Sequence, residues 1–380
     1  MSNRKIISAL ALFSIVTAVL IYRRAEQVRP VRPIGTPQTI ATPLGLPPVP
    51  VPADNPLTVE TVALGKRLYF DTSLSIDKSV SCARCHDPGH GFAYAGDVST
   101  GVGGKQGTRN SPTIINAAYY ATQFWDGREN TLEKQAEGPV QNPVEMAHSL
   151  AGVVTRLTND SSYVTSFERA YGAGPVTFEK VEKSIAAYER RVVAGDSPFD
   201  RWYFGGDQHA VDKGVKRGYE VFRRVDKGNC ASCHAIAEHT ALFTDNEFHN
   251  IGVGVRNGTP TDLGRYEVTH TDRDRGAFKT PSLRNIAETA PYMHDGSFDT
   301  LMQVIDFHAA GGNANPWLDS KIRKLHLNTR EKTDLVAFLK SLNGEVPSEA
   351  LPDKIFSKRL ASAIRGRKER PAVKSRSERT

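Results

Sequence analysis

The sequence predicts a mainly α-helical protein of two domains, on three observations. Amphipathic stretches with helical spacing recur along the chain, alternating β-branched strands are scarce, and all four cysteines fall into two copies of one short motif. A chain of 380 residues has room for about two to three domains. The formal charge of +7 suggests nucleic acid, but residues 354–380 hold ten Lys/Arg against two Glu, which leaves the other 353 residues at −1. A basic tail on a near-neutral body excludes a nucleic-acid-binding domain as the reading. Four cysteines are too few for a disulfide scaffold in a chain this long.

Residues 6–22 form an uncharged apolar stretch of 17 residues behind Arg4 and Lys5. That is near the lower limit for a spanning helix, and no small-residue cleavage site follows, so residues 1–27 are expected to be an uncleaved anchor. Residues 28–56 contain nine of the 22 prolines and are expected to form a semi-rigid polyproline II spacer, reaching up to about 90 Å. A first domain is expected over 57–205, a second over 206–345, and a solvated basic tail over 346–380.

The two motifs are Cys82-Ala-Arg-Cys85-His86 and Cys230-Ala-Ser-Cys233-His234, one in each expected domain. Two redox disulfides or a four-thiolate zinc site would not require a histidine after each second cysteine. C-x-x-C-H is the attachment signature of c-type haem: the thiols bond the porphyrin and the histidine faces the iron. The expected protein is therefore a dihaem cytochrome with its body in the periplasm. Helices are expected at 59–70 and 210–224, ahead of the motifs, and at 178–194, 301–308 and 330–342. The last opens with Asn328 and Glu331 at capping-box spacing. The glycine-rich stretch 101–107 lacks the register of a phosphate-binding loop and is expected to be a flexible loop beside a haem.

The runs CHDPGHGFAYAG, GTRNSPTIINAA and QFWDGRENTLEKQAEGPVQNPVEM, with FKTPSLRNIAETAPYMHDGSFDTL at 278–301, resemble the bacterial dihaem cytochrome c peroxidase/MauG superfamily over roughly residues 57–345. The resemblance implies two class I cytochrome c-like haem domains, a peroxide-reacting haem in the first and an electron-transfer haem in the second. It also implies Trp125 between the haems, and Gln135 and Glu145 in the distal pocket. Glu145 would carry the peroxide proton and Gln135 would orient the peroxide. Asn110, Thr289 and Pro291 match the family's calcium site.

Two departures shape the expected mechanism. The chain has no histidine between His90 and His148, where family members that need reductive activation carry a removable ligand. The first haem iron is therefore expected to be five-coordinate at rest. Eight residues after Thr300, where relatives place Met or Tyr, stands His308, so the second haem is expected to be ligated by His234 and His308. Losing a Met ligand lowers the haem potential. Arg109, Arg128, Lys279 and Arg284 are candidate partners for haem propionates; most of the remaining histidines are expected to be ordinary surface or hydrogen-bonded residues, His294 structural.

The leading expectation is a peroxidase that reduces hydrogen peroxide with electrons from a small periplasmic cytochrome c or cupredoxin. MauG-like oxidation of a protein side chain and simple electron carriage are the alternatives. The oligomeric state is not given by the sequence, and a homodimer stays open.

Overall fold

A computed structural model describes residues 31–352. The apolar stretch 6–22 and residues 353–380 lie outside the described residues. Among those described, no helix is long and apolar enough to cross a membrane. The first half contains α1 (Val59–Phe70), α2 (Leu150–Thr158), α3 (Ser161–Tyr171) and α4 (Phe178–Glu189); the second contains α5 (Pro198–Tyr203), α6 (Lys213–Arg223), α7 (Leu301–Ala310) and α8 (Thr329–Lys340). Four two-residue strands, β1 (Phe248–His249), β2 (Val255–Arg256), β3 (Thr259–Pro260) and β4 (Phe278–Lys279), pair antiparallel as β1 with β4 and β2 with β3.

The helix bounds follow from capping. At α6 the Val215 amide donates to Asp212 Oδ1, which fixes its start at Lys213 rather than Ala210. At α8 the capping box of Asn328 and Glu331 is formed in both directions. The fourth helix stops short of Ala194 because Asn116 draws the following chain away, donating its amide to the Val192 carbonyl and receiving the Ala194 amide on Oδ1.

Both halves close on a helix pair that crosses at a glycine. A methyl group on Gly65 of α1 would lie 1.8 Å from the Ser184 carbonyl oxygen of α4. One on Gly218 of α6 would lie 1.9 Å from that of Asp334 on α8. Only glycine lets the two backbones approach this closely. The loops repeat as well. Left-handed residues Asn116, Phe124 and Gly127 recur as Asn285, Met293 and Gly296 (116 to 285, 124 to 293, 127 to 296, so 169 residues each time). The N-caps Thr131 and Thr300 keep the same offset. The described residues thus contain two copies of one structural plan, each with its own apolar core.

The proline-rich segment corrects the expectation of a free spacer. Its described part, from Val31 on, lies against the body, with Leu46 and Asn55 buried. Prolines lack an N–H but keep their carbonyls, and donors of the body fill these. Tyr119 Oη donates to the Pro47 carbonyl at 2.9 Å and Arg190 Nε to that of Pro50 at 3.1 Å. Arg191 Nη1 donates to the Thr39 carbonyl at 3.1 Å, and Lys183 Nζ to that of Val31. The expected tail also begins later than residue 346: Ala350 is buried and its carbonyl accepts from Tyr188 Oη at 2.7 Å.

Candidate active site

Each C-x-x-C-H motif forms a single tight turn that points its histidine inward. The His86 amide donates to the Cys82 carbonyl at 2.9 Å, and the His234 amide to that of Cys230 at 2.9 Å. The ring orientation is fixed by the far nitrogen: His86 Nδ1 donates to the Pro112 carbonyl at 2.8 Å and His234 Nδ1 to that of Phe243 at 2.9 Å. Such a bond selects the tautomer that leaves Nε2 for a metal. Burial pushes both imidazoles below their ordinary range, and the carbonyl contacts oppose it only partly. Both rings are therefore held in the neutral, ligating form.

In the second half a large, mostly apolar cavity is lined by Cys230, Cys233 and His234 on one stretch and by Leu301, Ile305 and His308 of α7 on another. Burial first, and His234 second, push His308 down to about 4. Two neutral imidazoles and two free thiols on an apolar cavity are a donor set that fits a covalently attached haem. The same wall carries Trp125, Asn110, Thr289 and Pro291. Trp125 Nε1 donates to the Asn110 carbonyl at 2.9 Å, and the Lys279 amide donates to the Trp125 carbonyl at 2.8 Å, so the tryptophan joins the two halves. His294 stacks on Phe278 at 3.7 Å and meets Trp125 edge-on at 6.5 Å, in line with its expected structural role.

Glu145 and Gln135 belong to the first half. Their neighbours Met146 and Ala136 sit in the core against which Cys82 packs. Gln135 ends the short helix Leu132–Gln135, capped by Thr131. Burial raises the Glu145 carboxyl above the ordinary range, while a 2.6 Å hydrogen bond donated by Asn142 Nδ2 and the Arg128 charge pull it back. The glycine-rich loop is the mount for this residue rather than a free loop. The Val102 amide donates to the Glu145 carbonyl at 2.8 Å, and a methyl on Gly101 would stand 2.2 Å from the Val144 carbonyl oxygen. Sequence reasoning missed Asn142, Gly101 and Val102.

The expected propionate partners divide. Arg284 is corrected: it is 1% exposed, forms a bidentate ion pair with Asp200, and donates to the Ala241 and Gly45 carbonyls, so four of its five N–H donors and nearly all of its surface are committed to the fold. Arg109 ties Asp126 of the first half to Asp262 of the second at 2.6–2.8 Å. Arg128 pairs with Asp126 and lies 3.4 Å above the Phe124 ring. Lys279 stays beside the cavity, donating to the Thr122 carbonyl over the Tyr120 ring, with burial pushing it down to about 7. His249 is one of the hydrogen-bonded histidines: Nδ1 contacts Asp319 at 2.5 Å and Nε2 Asp245 at 2.9 Å.

Comparison with known proteins agrees with this geometry. A family model described as di-haem cytochrome c peroxidase matches residues 59–209. The chain is 40% identical to the methylamine utilization protein MauG of Methylorubrum extorquens over 305 residues, 80% of this chain and 84% of that one. The chain belongs to the di-haem cytochrome c peroxidase and MauG family. It is also 37% identical to the cytochrome c551 peroxidase of Pseudomonas aeruginosa, over 78% of this chain and 82% of that one. Among solved structures it matches a MauG-like protein associated with microbial copper homeostasis, with a TM-score of 0.76 and 32% identity over 84% of this chain and 99% of that one. Family membership makes the chain an oxidoreductase with two c-type haems, consistent with the two donor sets.

Proposed function

We propose that this protein reduces hydrogen peroxide to water in the periplasm, drawing electrons from a small cytochrome c or cupredoxin. The observation that carries the reading is Glu145, a half-buried carboxyl with a raised pKa on a rigid mount, which an electron carrier would not need. The haem on Cys82, Cys85 and His86 would supply the iron that binds and reduces peroxide, and the one on Cys230, Cys233, His234 and His308 would supply electron storage. Glu145 takes the proton from the near peroxide oxygen and delivers it to the far one. The Gln135 amide donates to the peroxide and orients it. Two electrons and two protons turn each peroxide into two waters, so two one-electron donors are consumed.

His90 is otherwise engaged. Its Nε2 donates to the Ala290 carbonyl across the domain interface, whereas His148 keeps both ring nitrogens buried and without a hydrogen-bond partner among the described residues. The engagement of His90, with no histidine between it and His148, supports a first haem with an open position at rest. Trp125, at the junction of the halves, is the proposed electron bridge. Asn110, Thr289 and Pro291 are the proposed calcium ligands, and residues 6–22 the proposed membrane anchor.

Glu145→Gln, with full haem content, is expected to lower peroxide turnover by roughly 10²–10⁴-fold. An unchanged rate would remove Glu145 from the mechanism, whereas no peroxide turnover by the parent protein would leave electron carriage as the better reading. The second reading, MauG-like oxidation of a protein side chain, draws on the 40% identity to a MauG protein. A covalent mass change in a partner after peroxide treatment, without multiple turnover on reduced cytochrome c, would favour it.

A further inference from the structure

The cysteine side of the second cavity opens onto a cationic surface. Lys321 Nζ donates to the Ser232 carbonyl at 3.2 Å and lies 4.0 Å from Cys233 Sγ, at the cavity edge. Arg323 lines this cavity and also an adjoining depression shared with Val225, Lys227, Lys324 and His326. Nearby carboxylates are already matched: Asp226 by Arg224, and Glu331 by Lys227 at 2.7 Å. Arg323 and Lys324 are exposed and have no ion-pair partner among the described residues. Lys321 has only Asp245, at 3.9 Å. Beside them Val225 is 66% exposed.

An apolar contact ringed by unmatched charge is the anatomy of a transient protein interface. The body outside residues 354–380 sums to −1, so this excess is local. Electron tunnelling weakens exponentially with distance, so a donor to the second haem must approach its edge. The geometry points to this rim, centred on Val225, Arg323 and Lys324, as the docking surface for a redox protein that presents an acidic face. The inference rests on the reading of the second haem as the point of electron entry. Opposite charge would raise the encounter rate and make it fall with salt.

The test uses the full-length holoprotein and its Val225→Glu/Lys324→Glu variant. Each is mixed with a reduced acidic plastocyanin, a reduced basic mitochondrial cytochrome c, and ascorbate with a neutral mediator. Binding of the oxidised plastocyanin is followed separately by NMR shifts. Expected are faster haem reduction by plastocyanin than by the basic cytochrome at low salt, at least a tenfold fall in that rate in the variant, and loss of the NMR shifts. Turnover with the neutral mediator should be unchanged. Plastocyanin rates insensitive to both salt and charge reversal would overturn the docking surface. So would sedimentation with anionic phosphatidylglycerol vesicles, lost in the variant, in the absence of plastocyanin binding. Failure of peroxide turnover with the neutral mediator, with binding retained, would instead count against the peroxidase reading alone.

Discussion

Asn142 Nδ2 donates a 2.6 Å hydrogen bond to Glu145 Oε1, and its own Oδ1 accepts the Val144 amide at 3.1 Å. One side chain thus shapes the turn and biases the carboxyl toward its charged form. Burial works the other way and prevails, so Glu145 titrates above the usual glutamate range. A proton acceptor must be ionised, so peroxide turnover should fall as the pH drops through that raised value. Asn142→Asp keeps the acceptor for Val144, removes the donor to Glu145 and adds a like charge. The acid limb of kcat/KM for peroxide should move up by about one unit or more. An acid limb that stays in place would show that Glu145 is not the titrating group.

The second haem offers a spectroscopic prediction. His308→Ala should convert the second haem from low-spin to high-spin ferric iron in low-temperature EPR and leave the first haem's signal alone. His308→Met should keep the low-spin form and raise its potential in a redox titration. An unchanged low-spin signal in the alanine variant would assign the sixth ligand elsewhere, with Met293 and Tyr292 on the same cavity wall as the replacements.

Much of this site is legible in the sequence because its chemistry is carried by local motifs. The two C-x-x-C-H turns fix their own geometry within five residues, and the helix α1 has the bounds its apolar spacing predicts. What escaped depends on contacts distant in sequence. Nothing in VGGKQG announces that Val102 will hold Glu145, because that bond spans more than forty residues. The prolines of 31–56 read as an isolated rod because their missing donors are visible and the incoming Arg and Tyr donors are not. The 169-residue repeat of Asn116, Phe124 and Gly127 was available in the sequence, as NAAYYATQFWDG against NIAETAPYMHDG, and self-comparison would have found it.

Glu189 ends α4 in a fully enclosed position beside Tyr69, Tyr188 and Cys82. Burial pushes its carboxyl up to about 8; Arg190 opposes this and Glu133 adds to it. Between the ordinary glutamate value and about 8 the unfolded chain is ionised and the folded one still protonated. The folded state then binds more protons, so stability declines as the pH rises across that window. Each unit is worth about 1.4 kcal/mol, which makes the full decline several kcal/mol. Glu189→Gln should flatten it, matching the parent near pH 5 and exceeding it at pH 8 in urea unfolding midpoints. Parallel pH dependences would mean that the ionised carboxylate finds a partner on the haem-bearing protein.

The Arg284–Asp200 pair fastens the proline-rich segment to the second half. Its bonds of 2.6 and 2.9 Å are shielded from water, with Asp200 0% and Arg284 1% exposed, and Arg284 also holds the Gly45 carbonyl at 2.9 Å. Removing one partner strands a charge in the interior, a loss of about 3–5 kcal/mol, whereas replacing both with apolar residues can come near neutral. Arg284→Met should therefore destabilise far more than Arg284→Met with Asp200→Leu, measured by denaturant unfolding of the holoprotein. The single variant should also loosen residues 39–50, because Gly45 loses its donor, and proteolysis of that segment should quicken. Equal stability for the single and double variants would place the pair's importance in shape rather than charge.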